Sequence, residues 1–160
     1  MTSPTSATTH FDLENFNPDD WKKDIVAGRI ICVAIDGSDD GSKAFYWALN
    51  NLIKPSTGIN NKLVLLTCIP ASAPDSARLE SNALLKKYVD LVKAANLVVP
   101  LRAILLKGEV RTQLCDIAVE LKADLFVIGT RGLGALKRAV LGSVSDYVSK
   151  NCECTVVIAK

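Results

Sequence analysis

Two hydrophobic periodicities alternate along the chain. Unbroken apolar runs recur at "RIICVAID" (29–36), "KLVLLTCI" (62–69), "VPLRAILL" (99–106), "DLFVIG" (124–129) and "CTVVIA" (154–159). Short runs of this kind, rich in β-branched residues, predict strands covered on both faces. Between them the apolar positions return at three- and four-residue intervals. One set is Ala44, Phe45, Ala48, Leu49 and Leu52; a second is Leu84, Leu85, Tyr88, Leu91, Val92 and Ala95; a third is Val110, Leu114, Ile117, Ala118 and Leu121. That spacing predicts helices with one buried stripe, the first capped by Asp39 or Asp40 and the second following Pro74. "SVSDYVSKN" (143–151) adds a short helix.

Strands that alternate with amphipathic helices require crossover connections, and these are right-handed. The pattern therefore predicts a doubly wound α/β domain, a five-stranded parallel sheet with helices on both faces. Ligands in such folds lie beyond the carboxyl ends of the strands, where the strand order reverses. Attention falls on the residues just after "VAID" and just after "FVIG".

Composition narrows this further. A chain of 160 residues, 49% of them hydrophobic, can bury a core without disulfides. Residues 1–28 are expected to be a loosely docked N-terminal arm, Ser/Thr/Pro-rich at first and then carrying Phe11, Leu13, Phe16 and Trp21 at irregular spacing. The domain proper then occupies 29–160. A net charge of +2 without a long Lys/Arg run argues against a nucleic-acid or membrane surface. Five cysteines, an odd number, suit a reducing compartment. Cys32 and Cys68 read as small core residues, and Cys152 and Cys154 lack the further ligands a metal would need, since His10 lies in the arm. Neither a targeting signal nor an apolar run of membrane-spanning length is readable, so a soluble, cytoplasmic protein is expected.

The candidate chemistry is concentrated in "GTRGLGALKRAVLGS" (129–143). Glycines here either turn the chain or let backbone amides approach an anion, and spacing alone leaves both open. A helix starting near Gly142 would present unpaired N–H groups to a phosphate. Gly132 would let the loop close on it, the hydroxyls of Ser143 and Ser145 could hold its oxygens, and Arg131, Lys137 and Arg138 could add charge. Asp36, at the end of the first strand, is either a turn residue or an acceptor for ribose hydroxyls. GxxxxGK[ST] is absent, and no GxGxxG follows the first strand, which removes the P-loop and the usual dinucleotide fingerprint.

With these residues in view, 29–160 resembles the universal stress protein family. The nucleotide-binding members carry glycine, two residues, glycine, nine residues, then glycine with Ser or Thr. Gly129, Gly132 and Gly142-Ser143 meet that spacing, and "VAIDGS", "LLTCIP" and "DLFVIGTRGLG" are similar to family strand signatures. The resemblance implies a Rossmann-like fold of strand order 3-2-1-4-5 that binds ATP, or AMP or ADP, with Mg²⁺. It places adenosine against Ala34, Asp36 and Cys68, the nucleoside side of the fourth strand at Ile128 and Gly129, and the loop at Arg131 and Gly132. The phosphates fall around Gly142, Ser143, Val144 and Ser145. Relatives often carry Pro or Val in place of Ala34 and His in place of Thr67.

The resemblance further implies a homodimer formed through the last strand, 154–159, whose apolar terminal edge needs a cover; the arm is the alternative cover. The expected role is a nucleotide-dependent stress-response regulator with little or no catalysis. Two alternatives remain: an adenine-nucleotide hydrolase or adenylating enzyme with a pyrophosphate loop, of which "DGSDDGS" is only a loose echo, and a nucleotide-free interaction module.

Overall fold

The structure, a computed structural model, describes residues 28–53, 61–97, 99–132 and 141–160. The arm with His10, and Lys137 and Arg138, lie outside the described residues. The elements in chain order are β1 (Ile30–Ala34), α1 (Asp39–Ala48) with a π-helical extension (Leu49–Ile53), β2 (Lys62–Ile69), α2 (Asp75–Ala94), β3 (Leu101–Lys107), α3 (Val110–Glu120), β4 (Leu125–Gly129), α4 (Ser143–Asn151) and β5 (Thr155–Ala159).

The sheet has the order β3-β2-β1-β4-β5, and all its pairings are parallel, with Ile31 facing Leu63 on one side and Leu125 on the other. This is the doubly wound arrangement expected. Strand periodicity splits each apolar run between two cores. Ile31, Val33, Leu63 and Leu65 pack with Phe45 of α1 and Leu85, Val89 and Val92 of α2. Cys32, Val64, Leu66, Phe126 and Ile128 point the other way, onto Leu114, Ile117 and Ala118 of α3 and Val148 of α4. Covering on both faces is why these strands read as continuous rather than alternating hydrophobic runs.

Local chemistry sets the element ends. The cap of α1 is Ser38, whose Oγ accepts from Gly41 N at 3.0 Å, while Asp39 and Asp40 lie inside the first turn; there their charge complements the helix dipole. Helical spacing predicts an ordinary α-helix through Leu52. The chain instead widens into a π turn over Leu49–Ile53, where Asn51 Nδ2 donates to the Trp47 carbonyl at 2.8 Å. In α2 the stripe shifts slightly: Val89 is buried, whereas Ala95, past the helix end, is exposed. β3 starts after Pro100, which has no N–H to give a ladder. The Tyr88 ring packs edge-on against Phe45 at 4.7 Å, and its hydroxyl lies 2.6 Å from Ser42 Oγ, so its polar end is satisfied inside the core.

Candidate functional site

The topology creates one special place. From β1 the chain winds outward through β2 and β3, then returns past β1 to β4 and β5, so the connections leaving β1 and β4 diverge to opposite faces of the sheet. The gap between their carboxyl ends is a cavity of about 380 Å³, within the usual range for small-molecule sites, about 300–1,000 Å³. Among the described residues, those expected at the site from the sequence line it. Ala34 and Asp36 come from the end of β1, Cys68 from β2, and Ile128, Gly129, Arg131 and Gly132 from β4 and the turn beyond. Gly142, Ser143, Val144 and Ser145 come from the start of α4.

The start of α4 is bare of side-chain caps. Ser38 caps α1, and Glu109 caps α3 by accepting from Thr112 N at 3.0 Å. At α4 the cap position is Gly142, which supplies no side-chain hydrogen bond. Its carbonyl already accepts from Asp146 N at 2.8 Å, leaving the first-turn amides of Ser143, Val144 and Ser145 without an intrahelical acceptor. They carry the positive end of the helix dipole into the cavity wall.

The hydroxyls divide the labour differently from the sequence expectation. Ser145 is buried, and its Oγ donates towards Thr130 O (2.8 Å) and Gly142 O (3.0 Å), so its proton is engaged in closing the loop onto the helix. Ser143, at the first position of α4, is exposed and lines the cavity.

Both readings of Asp36 have a structural basis. Its Oδ1 accepts from Ser38 N at 3.0 Å and Ser38 Oγ at 2.5 Å, the geometry of a turn-forming aspartate. Its carboxylate also stands in the cavity wall, and its Oδ2 lies 2.5 Å from where a Cβ on Gly132 would be. The missing side chain at Gly132 thus makes room for a carboxylate of the protein itself. Gly129 has another reason to be glycine: a Cβ there would fall 2.5 Å from the carbonyl carbon of Asp40 and closer still to its oxygen. The first turn of α1 rests directly on the end of β4.

Arg131 lines the cavity while its Nε lies 3.8 Å from Asp40 Oδ2. Asp40 also accepts from Thr130 Oγ1 at 2.5 Å and pairs with Lys43 Nζ at 3.0 Å. These partners, the Thr130 hydroxyl foremost, hold its carboxyl below the ordinary aspartate range. Burial, followed by the charge of Glu109, pushes the Cys68 thiol up to about 11, so it stands protonated in the cavity wall. Burial raises Cys32 further still. All five cysteines are free thiols. Among the described residues no group of His, Cys, Asp and Glu is arranged to hold a metal ion.

Several wall residues escaped the sequence reading: Ile35, Gly41, Leu66, Thr67, Val110 and Leu114. In the sequence Val110 and Leu114 read only as helix-stripe residues. The available signal was their position, one turn apart at the start of the helix that follows β3, since helix starts and strand ends share one side of such a sheet.

Fold and cavity together define a doubly wound α/β protein with a ligand-sized crevice at its topological switch point. The sequence profile described as the universal stress protein family matches residues 28–160, and the chain belongs to that family. It is 30% identical to universal stress protein PHOS34 of Arabidopsis thaliana over an alignment covering 84% of this chain; the chain spans 62% of that relative's length. A universal stress protein solved in complex with cAMP superposes with a TM-score of 0.65 at 25% identity, covering 82% of this chain and 97% of that one. A family member from Arabidopsis thaliana with AMP bound gives 0.63 at 24%, covering 82% and 91%. Among the described residues no helix is long and apolar enough to cross a membrane.

Proposed function

We infer that the cavity binds an adenine nucleotide, ATP or its mono- or diphosphate, and that the protein is a nucleotide-dependent regulator of the stress response with little or no catalysis. The observation that carries this reading is the pairing of unlike groups across one crevice. A carboxylate at the end of β1 faces the amide-rich start of α4, which has no side-chain cap. The first suits ribose hydroxyls and the second phosphate oxygens. Ala34, Leu66, Val110 and Leu114 add an apolar wall for the base. That family members have been solved with AMP and with cAMP supports an adenine ligand.

In this reading Ala34, Asp36 and Cys68 hold the adenosine, and Ile128 and Gly129 flank it. Arg131, Gly132, Gly142, Ser143, Val144 and Ser145 hold the phosphates. Mg²⁺ would be carried by the phosphates themselves. Bound nucleotide is read out through a homodimer formed along 154–159, in the cytoplasm. β5 suits such a contact: it is the edge strand, and Val156, Val157 and Ile158 are only half-buried.

The test is to denature the purified protein and identify what it releases, then to titrate the ligand-free protein with ATP, AMP and cAMP by calorimetry. Release or tight binding of an adenine nucleotide is expected. If nothing is released and no adenine nucleotide binds, the reading is wrong.

A further inference from the structure

Thr130 sits where the glycine segment leaves the sheet, and three hydrogen bonds meet on it. Its hydroxyl donates to Asp40 Oδ2 at 2.5 Å, and its carbonyl accepts from Gly142 N (2.8 Å) and Ser145 Oγ (2.8 Å). The two ends of the segment are therefore tied together at one residue, and that residue is tied to α1. The Asp40 side chain is only 14% exposed, and its main chain fills the space a side chain at Gly129 would need. Its main chain is fixed against the end of β4, and its carboxylate is held there by Thr130 and Lys43.

Resting on the nucleotide reading above, we propose that Asp40 and Thr130 are positioning residues for the phosphate end of the site. Neither touches the ligand. The hydrogen bond between them sets the direction in which the chain leaves β4, and the Thr130 carbonyl then sets where Gly142 and the first amides of α4 stand. A phosphate held by several backbone amides at once depends on all of them being placed before it arrives. Asp40 has a second effect through charge: it balances Lys43 and Arg131, which keeps Arg131 beside the site when no phosphate is present.

The test separates phosphate from nucleoside. In Thr130→Val and Asp40→Ala, affinity for AMP should fall about tenfold, a loss of about 1.4 kcal/mol, while affinity for adenosine stays within about twofold. Thr130→Ser keeps the hydroxyl and should restore AMP binding, while Asp40→Asn keeps the acceptor but not the charge and should restore it in part. The double variant Thr130→Val with Asp40→Ala should lose no more than Asp40→Ala alone, because both substitutions remove the same bond and only Asp40→Ala also removes the charge beside Arg131. Folded single variants that bind AMP as well as the unaltered protein, or that lose adenosine and AMP equally, would overturn the proposal.

Hydrogen exchange on the ligand-free protein tests the tie without any ligand. The Gly142 amide should exchange faster in Thr130→Val, with the amides of α2 unchanged, and unaltered exchange at Gly142 would also overturn the proposal. Failure of the unaltered protein to bind any adenine nucleotide would count against the function reading, while the exchange result would still judge the tie.

Discussion

Gly129→Ala isolates the packing of α1 on the end of β4. The backbone at Gly129 is not in the left-handed region, which among the described glycines is occupied by Gly37 and Gly108; conformational freedom is therefore not the issue, and space is. A methyl group at Gly129 would lie 2.5 Å from the Asp40 carbonyl carbon and 2.9 Å from its Cβ. These are main-chain and first-carbon atoms, which no rotamer change can move. The first turn of α1 must lift off, and overpacking of this kind costs about 1–3 kcal/mol. Lifting also stretches the Thr130–Asp40 hydrogen bond, so we take about 3 kcal/mol in total, the upper part of that range. For a domain of this size about 4 °C accompanies each kcal/mol, which gives a fall in Tm of about 12 °C. Thermal unfolding followed by far-UV circular dichroism measures it. Gly132→Ala is the comparison, because there the added methyl meets only the end of the Asp36 side chain, which can turn aside; its Tm should fall by less than about 4 °C. A Gly129→Ala protein melting within about 2 °C of the unaltered one would refute the reasoning.

Other consequences are open to simpler measurements. ATP with Mg²⁺ at a hundredfold excess over its Kd should stabilise the fold by about 2.7 kcal/mol, seen as a thermal shift that an equal concentration of inorganic phosphate does not reproduce. Gly37 has a φ of +82°, so Gly37→Ala should cost about 1–2 kcal/mol in a urea titration, and Ser38→Gly, which removes both the cap and the bond to Asp36, about 1 kcal/mol. Hydrogen bonds from Arg111 and the Thr112 amide lower Glu109 from its ordinary 4.5 to about 2. Its contribution to stability is therefore complete above the ordinary value and lost as pH falls from there towards about 2, and Glu109→Gln should flatten the denaturation profile in that window. Alkylation at pH 8 should label Cys68 slowly and leave Cys32 untouched, and bound nucleotide should protect Cys68; equal labelling with and without ligand would place the adenosine elsewhere.

Much of this architecture is legible in the sequence. Strand after strand appeared as a continuous apolar run because each is buried on both faces, and the helices appeared through their three- and four-residue spacing. The candidate site was legible for a related reason: strand ends and helix starts are marked by glycine, serine and aspartate, and the fold gathers those ends on one side. Misreadings came where two local signals competed. Asp39 and Asp40 are good cap residues, but Ser38 stands one position earlier and its hydroxyl reaches Gly41. Leu52 continues a helical stripe, but the chain there widens into a π turn, whose spacing departs from the 3.6-residue repeat.

By itself the sequence determined the class of fold, the order of its elements and the stretch of chain where an anion would be received, because periodicity and turn chemistry are properties of neighbouring residues. Only the tertiary structure decided why particular residues are needed there. Gly129 must be glycine because of Asp40, distant in the chain but touching in space; Gly132 makes room for Asp36; and Ser145 spends its proton on Thr130. Such reasons depend on which surfaces come within a few ångströms after the sheet is assembled, and no local pattern carries that information.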